Sequence, residues 1–187
     1  MPYEAELADL DAMQQVYSTL FALTNKLQVL GDQAMGVVTA RQFMTMLAVL
    51  HLPEDGASLI RIASKLGTTK QNASTMVSAL ARRGFVEVAS SCQDKRAVNV
   101  TVTKAGMVAL VQANDQGVLF LESVFHGFTS GQLGVLRQLL AAMYRFDGAD
   151  LDGFEDQAVP SGTDDWTPQQ LAIVEEFARR RQQSGKD

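Results

Sequence analysis

The sequence predicts a mainly α fold carrying one small β-hairpin. Apolar residues recur at helical spacing over most of its 187 residues. Only residues 85–103 change period. There Val98, Val100 and Val102 alternate with Ala97, Asn99, Thr101 and Thr103, the pattern of a half-buried strand, and "FVEVAS" before them supplies a partner strand. Ser or Thr also precedes nearly every helical run after the first, as helix N-caps do.

Residues 4 to 30 read as a long helix with Leu7, Leu10, Val16, Leu20, Leu23, Leu27 and Leu30 along one side, and Gly31 reads as its stop. "GDQAMGVV" reads as a loop. "TARQFMTMLAVLHL" is a short apolar helix with Thr39 as N-cap and Pro53 beyond its end. After the turn "PEDGA", "SLIRIASKLG" is a helix capped by Ser58. Leu59, Ile62, Ala63 and Leu66 form its buried stripe, and Gly67 breaks it. "TTKQNASTMVSALARRG" is a helix capped by Thr68 or Thr69, with Ala73, Met76, Val77 and Leu80 inward and Gly84 closing it. The hairpin follows, with "SCQDKR" as its turn. Thr103 caps a long helix to Phe128, and Thr129 caps another to Asp147. The tail begins with an acidic stretch rich in Gly, Asp and Ser that reads as a linker. Pro168 then opens a last helix, with a stripe of Leu171, Val174 and Ala178 widened by Ile173 and Phe177.

Charge divides the chain. The net charge is −5, which argues against a polyanionic partner only if position is ignored. Residues 57–106 carry eight cations and two acids, whereas residues 1–56 and 107–187 are net acidic. A basic centre between acidic flanks fits a nucleic-acid contact confined to that centre. No apolar run reaches the roughly 18 residues of a membrane span. The acidic start "MPYEAELADLDAM" is not a secretory signal, so a cytoplasmic location is the default expectation. One cysteine, Cys92, excludes an internal disulfide framework. Cys92 and two distant histidines, His51 and His126, do not make a structural zinc site, and no cofactor is expected. The sequence holds no Gly-rich phosphate loop, nucleophile elbow or metal-ligand cluster, so an enzyme is not expected.

Two short helices joined at a Gly, then a hairpin, make a winged helix-turn-helix. Such a unit places the N-terminal residues of its second helix in the major groove of B-DNA. Thr68, Thr69 and Lys70 stand where that helix begins and where amides attract phosphate. Gln71, Asn72, Ser74, Thr75 and Ser78 lie opposite its apolar stripe. They are either a base-reading face or a solvated one. Arg82 and Arg83 either meet phosphate or cap the helix end. At the hairpin tip, Lys95 and Arg96 would meet phosphates or the minor groove, and Asp94 would steady the tip; the alternative is an ordinary solvated turn.

The stretch from Leu59 to Gly106 also resembles the MarR (multiple antibiotic resistance regulator) family. The resemblance rests on an ordered set: Ile62-Ala63, Gly67, Thr69-Lys70-Gln71, Leu80, Arg82-Arg83-Gly84, Asp94-Lys95-Arg96 and Val102-Thr103-Lys104-Ala105-Gly106. The flanking helices to about Phe146 fit the family's length, and the last forty residues lie outside its usual pattern. A family cation has no counterpart at Thr75. The resemblance implies a homodimeric regulator, expected to be a repressor, that reads a pseudo-palindromic operator. It divides the chain into dimerisation and support helices (1–56), the DNA-binding module (57–104), C-terminal dimerisation helices (105–146), and an acidic linker with an extra helix (147–187). It also implies a site for a phenolic or amphipathic effector. Phe21, Met35, Phe43, Met44, Met46 and His51 are candidates for its walls, with an ordinary core as the alternative. Cys92, near two cations, is either a bystander or a redox switch; the family's peroxide sensors carry their cysteine in the first helix, where this chain has none. A winged-helix protein-interaction module without DNA function is the competing class. The extra helix either docks on the dimer helices or lets its acidic linker weaken DNA binding.

Overall fold

Side-chain caps set most helix starts. The hydroxyls of Thr39, Ser58, Thr69, Thr103 and Thr129 each accept a hydrogen bond from the backbone N–H three residues on, at Gln42, Arg61, Asn72, Gly106 and Gln132. Each satisfies one of the amides that a helix N-terminus leaves unpaired. Gln42 and Gln132 complete capping boxes by accepting from the N-cap amide in return.

The computed structural model describes residues 3–53, 57–90, 98–148 and 167–184. Its order is α1 (Glu4–Met35), α2 (Ala40–Leu50), α3 (Leu59–Lys65), α4 (Lys70–Arg82), β1 (Val86–Ser90), β2 (Val98–Val102), α5 (Lys104–Val124), α6 (Ser130–Tyr144), a 3-10 turn (Arg145–Asp147) and α7 (Pro168–Ser184). The two strands pair antiparallel with Val86 opposite Val102 and Val88 opposite Val100. The fold is the expected mainly α architecture with a hairpin wing.

The core lies where α2, α3, α4, the base of the hairpin and the first half of α5 meet. Met46, Ile62, Leu80 and Val100 are almost wholly buried there, with Phe43, Val49, Val86 and Leu110 around them. Side chains of this size contribute about 1.5–3 kcal/mol each on burial. Two features fix the hairpin to this core. Val100 N–H donates to Ala57 O at 3.1 Å, and Asn99 Oδ1 accepts from Ala57 N–H at 3.0 Å. Behind β2, Gly106 packs so closely that a Cβ there would collide with the Phe85 carbonyl oxygen.

The first helix corrects the expected stop at Gly31. It runs on through "GDQAM" to Met35, and Gly36, with φ +63°, ends it. Gly31 is buried inside the helix because α1 crosses there. A Cβ would lie 3.3 Å from Ala40 Cβ and 3.5 Å from the Phe120 ring. Its absent side chain serves close packing rather than a turn. Asp32 on the next position holds the start of α2, its Oδ1 accepting from Ala40 N–H at 2.7 Å.

The last helix docks on α5, parallel and in register. Gln169 Nε2 donates to Asp115 Oδ2 at 2.7 Å at one end. At the other, Arg181 donates from Nη1 to Phe125 O at 3.0 Å and from Nη2 to Phe128 O at 2.5 Å. Arg181 thereby adds a second donor to the Phe125 carbonyl, which also accepts from Phe128 N–H, at a helix C-terminus that favours a cation. Thr167 and Gln170 cap the start of α7 reciprocally. The expected stripe needs correction. Ile173 and Phe177 are half-buried, while Leu171, Val174 and Ala178 lie on an exposed flank. Burial follows the polar anchors, because Asp115 and the α5 C-terminus decide which way α7 rolls. On α7 itself, hydrogen bonds from Arg180 and Arg179 hold the Glu176 carboxyl below its usual range.

No described helix is long and apolar enough to cross a membrane.

Candidate nucleic-acid interface and the cavity behind it

The turn between α3 and α4 is set by Gly67, which takes φ +57°, a conformation that costs a side-chain-bearing residue more than glycine. Thr69 then caps α4, accepting from Asn72 N–H at 3.2 Å. With Ala73, Val77 and Leu80 buried against the core, helical geometry turns Gln71, Thr75, Ser78 and Arg82 outward as one exposed row. Lys70 and Thr69 are exposed at its amino end, and Thr68 is half-buried beside them. This row has the residue types that read base edges, with a cation and free-facing amides at the end that approaches phosphate.

The neighbouring residues are not equivalent. Ser74 is half-buried. Asn72 Nδ2 donates to Thr68 Oγ1 at 3.2 Å, and Thr75 Oγ1 donates to Gln71 O at 3.0 Å. Arg82 is exposed, with no hydrogen bond or ion pair to it among the described residues. Arg83 is used inside the fold. Its Nη1 donates to Gln42 Oε1 at 3.1 Å, its Nη2 donates to Val37 O at 2.7 Å, and its guanidinium lies 4.5 Å from the Phe85 ring centre. It ties the end of α4 to the start of α2. At the wing, Cys92, Asp94, Lys95 and Arg96 lie outside the described residues.

Behind α4 is a cavity of about 710 Å³. Its apolar walls are Met44, Leu66, Met76 and the Tyr144 ring. Arg41 and Lys65 bring positive charge, and Thr24 and Gln28 of α1 close one side. Asn72 and Thr75 of α4, with Thr68 just before it, form another wall. Tyr144 Oη reaches to 3.2 Å from where a Gly67 Cβ would stand. So three residues expected only at DNA also line this space.

Of the six residues expected to wall an effector site, Met44 alone lines this cavity. Phe43 and Met46 are in the core, Met35 packs against it, Phe21 is exposed on α1, and exposed His51 has Nδ1 2.7 Å from Leu47 O. Burial, not a cavity, accounts for Phe43 and Met46. The residues that sequence reasoning missed, among them Arg41, Lys65 and Tyr144, come from α2, α3 and the end of α6. No local pattern in the sequence joins them. Among the described residues, no group of three His, Cys, Asp or Glu side chains could hold a metal ion.

Comparison with known proteins matches this geometry. Residues 38–97 match the model of the MarR family. No curated protein sequence matches the chain. Among solved structures, the S. aureus MepR–DNA complex is 20% identical with a TM-score of 0.62, over 68% of this chain and 96% of its own. E. coli MarR, a mutant solved with operator DNA, is 19% identical with a TM-score of 0.63, over 71% and 96%. Bordetella bronchiseptica BpsR, described as regulated in its DNA binding by 6-hydroxynicotinic acid, is 20% identical with a TM-score of 0.62, over 70% and 98%. Proteins of this family bind DNA and are not enzymes. With its hairpin wing and its capped α4, the chain has the winged helix-turn-helix fold of these structures, and residues 38–97, which span α2 to the hairpin, match the MarR family model.

Proposed function

We propose that the chain acts as a homodimer that represses transcription from a pseudo-palindromic operator and is released by a small amphipathic effector. The exposed row on α4 carries this reading. Gln71 is the base-reading residue, able to pair bidentately with adenine; Ser78 flanks it, and Lys70, Thr69 and Arg82 position the helix on phosphates. Lys95 and Arg96 are assigned to the minor groove or its phosphates, with Asp94 steadying the wing. Action on the chromosome implies the cytoplasm.

Dimerisation is supported by what the single chain leaves uncovered. Residues 3–19 of α1 are all exposed, including Leu7, Leu10, Met13 and Val16, and α6 has no buried residue. A projecting helix of that kind is marginal alone and gains stability by packing. The effector is assigned to the cavity behind α4, to which Met44 of the expected walls contributes. An apolar ring would lie against Met44, Met76 and Tyr144, with an acidic or phenolic group toward Arg41 or Lys65. Occupancy that pushes on Asn72 and Thr75 would tilt α4 away from the groove, to the extent that the effector prefers that state. The similar structures solved with DNA, and the one described as regulated by 6-hydroxynicotinic acid, support DNA binding and a small-molecule effector.

Footprinting on the DNA upstream of the protein's own coding region tests the reading. A protected, two-fold symmetric site is expected, and both Gln71→Ala and Arg96→Ala should weaken it. Affinity that does not fall with salt would count against phosphate contacts and favour a protein-interaction module.

A further inference from the structure

We propose that α7, together with Leu121 of α5, forms a docking surface for the α1 arm of a second copy of this chain. This rests on the dimer reading and assigns the C-terminal extension a part in it.

The surface follows from how α7 sits. Asp115 and Arg181 fix it parallel to α5 and in register, so Ile173 and Phe177 face inward. One flank of α7 then presents Leu171, Val174 and Ala178. Helical geometry sets that flank beside the one on α5 that carries Leu121. Leu171 and Val174 remain 37% and 38% exposed, and Leu121 54%. Together these side chains make an apolar strip across two helices.

The α1 arm matches it in length, pattern and charge. Its exposed residues 4–19 span about 24 Å at 1.5 Å per residue, close to the roughly 25 Å of α7. Leu7, Leu10 and Met13 supply an apolar edge. Glu4, Glu6, Asp9 and Asp11 make its first turns acidic, while the end of α7 carries Arg179, Arg180 and Arg181 against Glu175 and Glu176 and stays net positive after Arg179 and Arg180 pair with Glu176. The other uncovered helix, α6, is a poorer match: its one charged residue is Arg137, so it brings no acidic group to this net positive end. Complementary charge steers encounter and fixes register.

The test uses the full chain with Cys92→Ser to remove the native thiol and Val174→Cys to carry a benzophenone label. Light and unlabelled nitrogen-isotope copies are mixed so that links within and between copies differ in mass. Cross-links from position 174 to peptides within residues 3–23 of the other copy are expected. Links confined to the label's own copy, or landing on α6 of the other, would overturn the proposal. In parallel, Val174→Asp should raise the dimer dissociation constant at least about tenfold in sedimentation, with helix content unchanged by circular dichroism. An unchanged constant would also overturn it. If the unmodified chain sediments as a monomer at every concentration, the dimer reading fails and this surface falls with it; a dimer without the α1 cross-link removes this surface alone.

Discussion

Met46, Ile62, Leu80 and Val100 are buried by their own chain, whereas the apolar side chains of α1 before Leu20 and of α6 are mostly open to solvent. The winged module closes a core within one copy. The outer helices are amphipathic with nothing to lie against. The difference separates two duties. The module must keep one shape to present α4, and its stability has to be local. In the proposed dimer the outer helices would set the distance between two such modules, and their stability would be deferred to assembly.

Substitutions can break that division. The largest effect is expected from Leu10→Asp with Leu139→Asp, which places charges on both uncovered faces. Sedimentation should show the dimer dissociation constant raised by about a thousandfold, while hydrogen exchange in α4 stays protected. Loss of protection there would show that the module depends on the partner after all. Next comes Gly106→Ala, whose Cβ meets the Phe85 carbonyl. Denaturant unfolding should show a loss of about 2–4 kcal/mol. Gly134→Ala, at a position in α6 with nothing within 4 Å, should be neutral or stabilising by up to about 1 kcal/mol.

Within the module, Gln71→Ala should cost about 1–3 kcal/mol of operator affinity in fluorescence anisotropy, with stability changed by less than about 0.5 kcal/mol. The two adjacent arginines give the finest distinction. Arg83→Ala should lower stability by about 1–2 kcal/mol through the lost bonds to Gln42 and Val37. Arg82→Ala should leave the melting curve in place and reduce the salt slope of DNA binding by about one. The reverse pattern would exchange their roles.

What could be read in the sequence was what short-range chemistry decides. Thr39, Ser58, Thr69, Thr103 and Thr129 cap the helices they were expected to cap. The alternating valines form the strand, and Gly67 and Gly84 turn the chain with positive φ. What could not be read was decided by partners far along the chain. Gly31 looks like a stop until Ala40 and Phe120 are seen to press on it. Ile173 and Phe177 displace the expected stripe because Asp115 and the end of α5 orient α7. Arg82 and Arg83 are the same residue in neighbouring places, and the positions of Gln42, Val37 and Phe85 separate them. The cavity draws on α1, α2, α3, α4 and α6 at once, so no periodicity marks Tyr144 or Lys65 as its lining.

The hollow behind α4 borrows Asn72 and Thr75 from the helix assigned to DNA, and Thr68 from just before it. A molecule filling it would therefore touch the reading element itself, with no intervening relay. Under the proposed function, thermodynamic linkage then works in both directions: whatever factor such a molecule takes from operator affinity, the operator takes from that molecule's. Operator-bound copies would then be poorer sensors than free ones, and the unoccupied pool would meet the signal first.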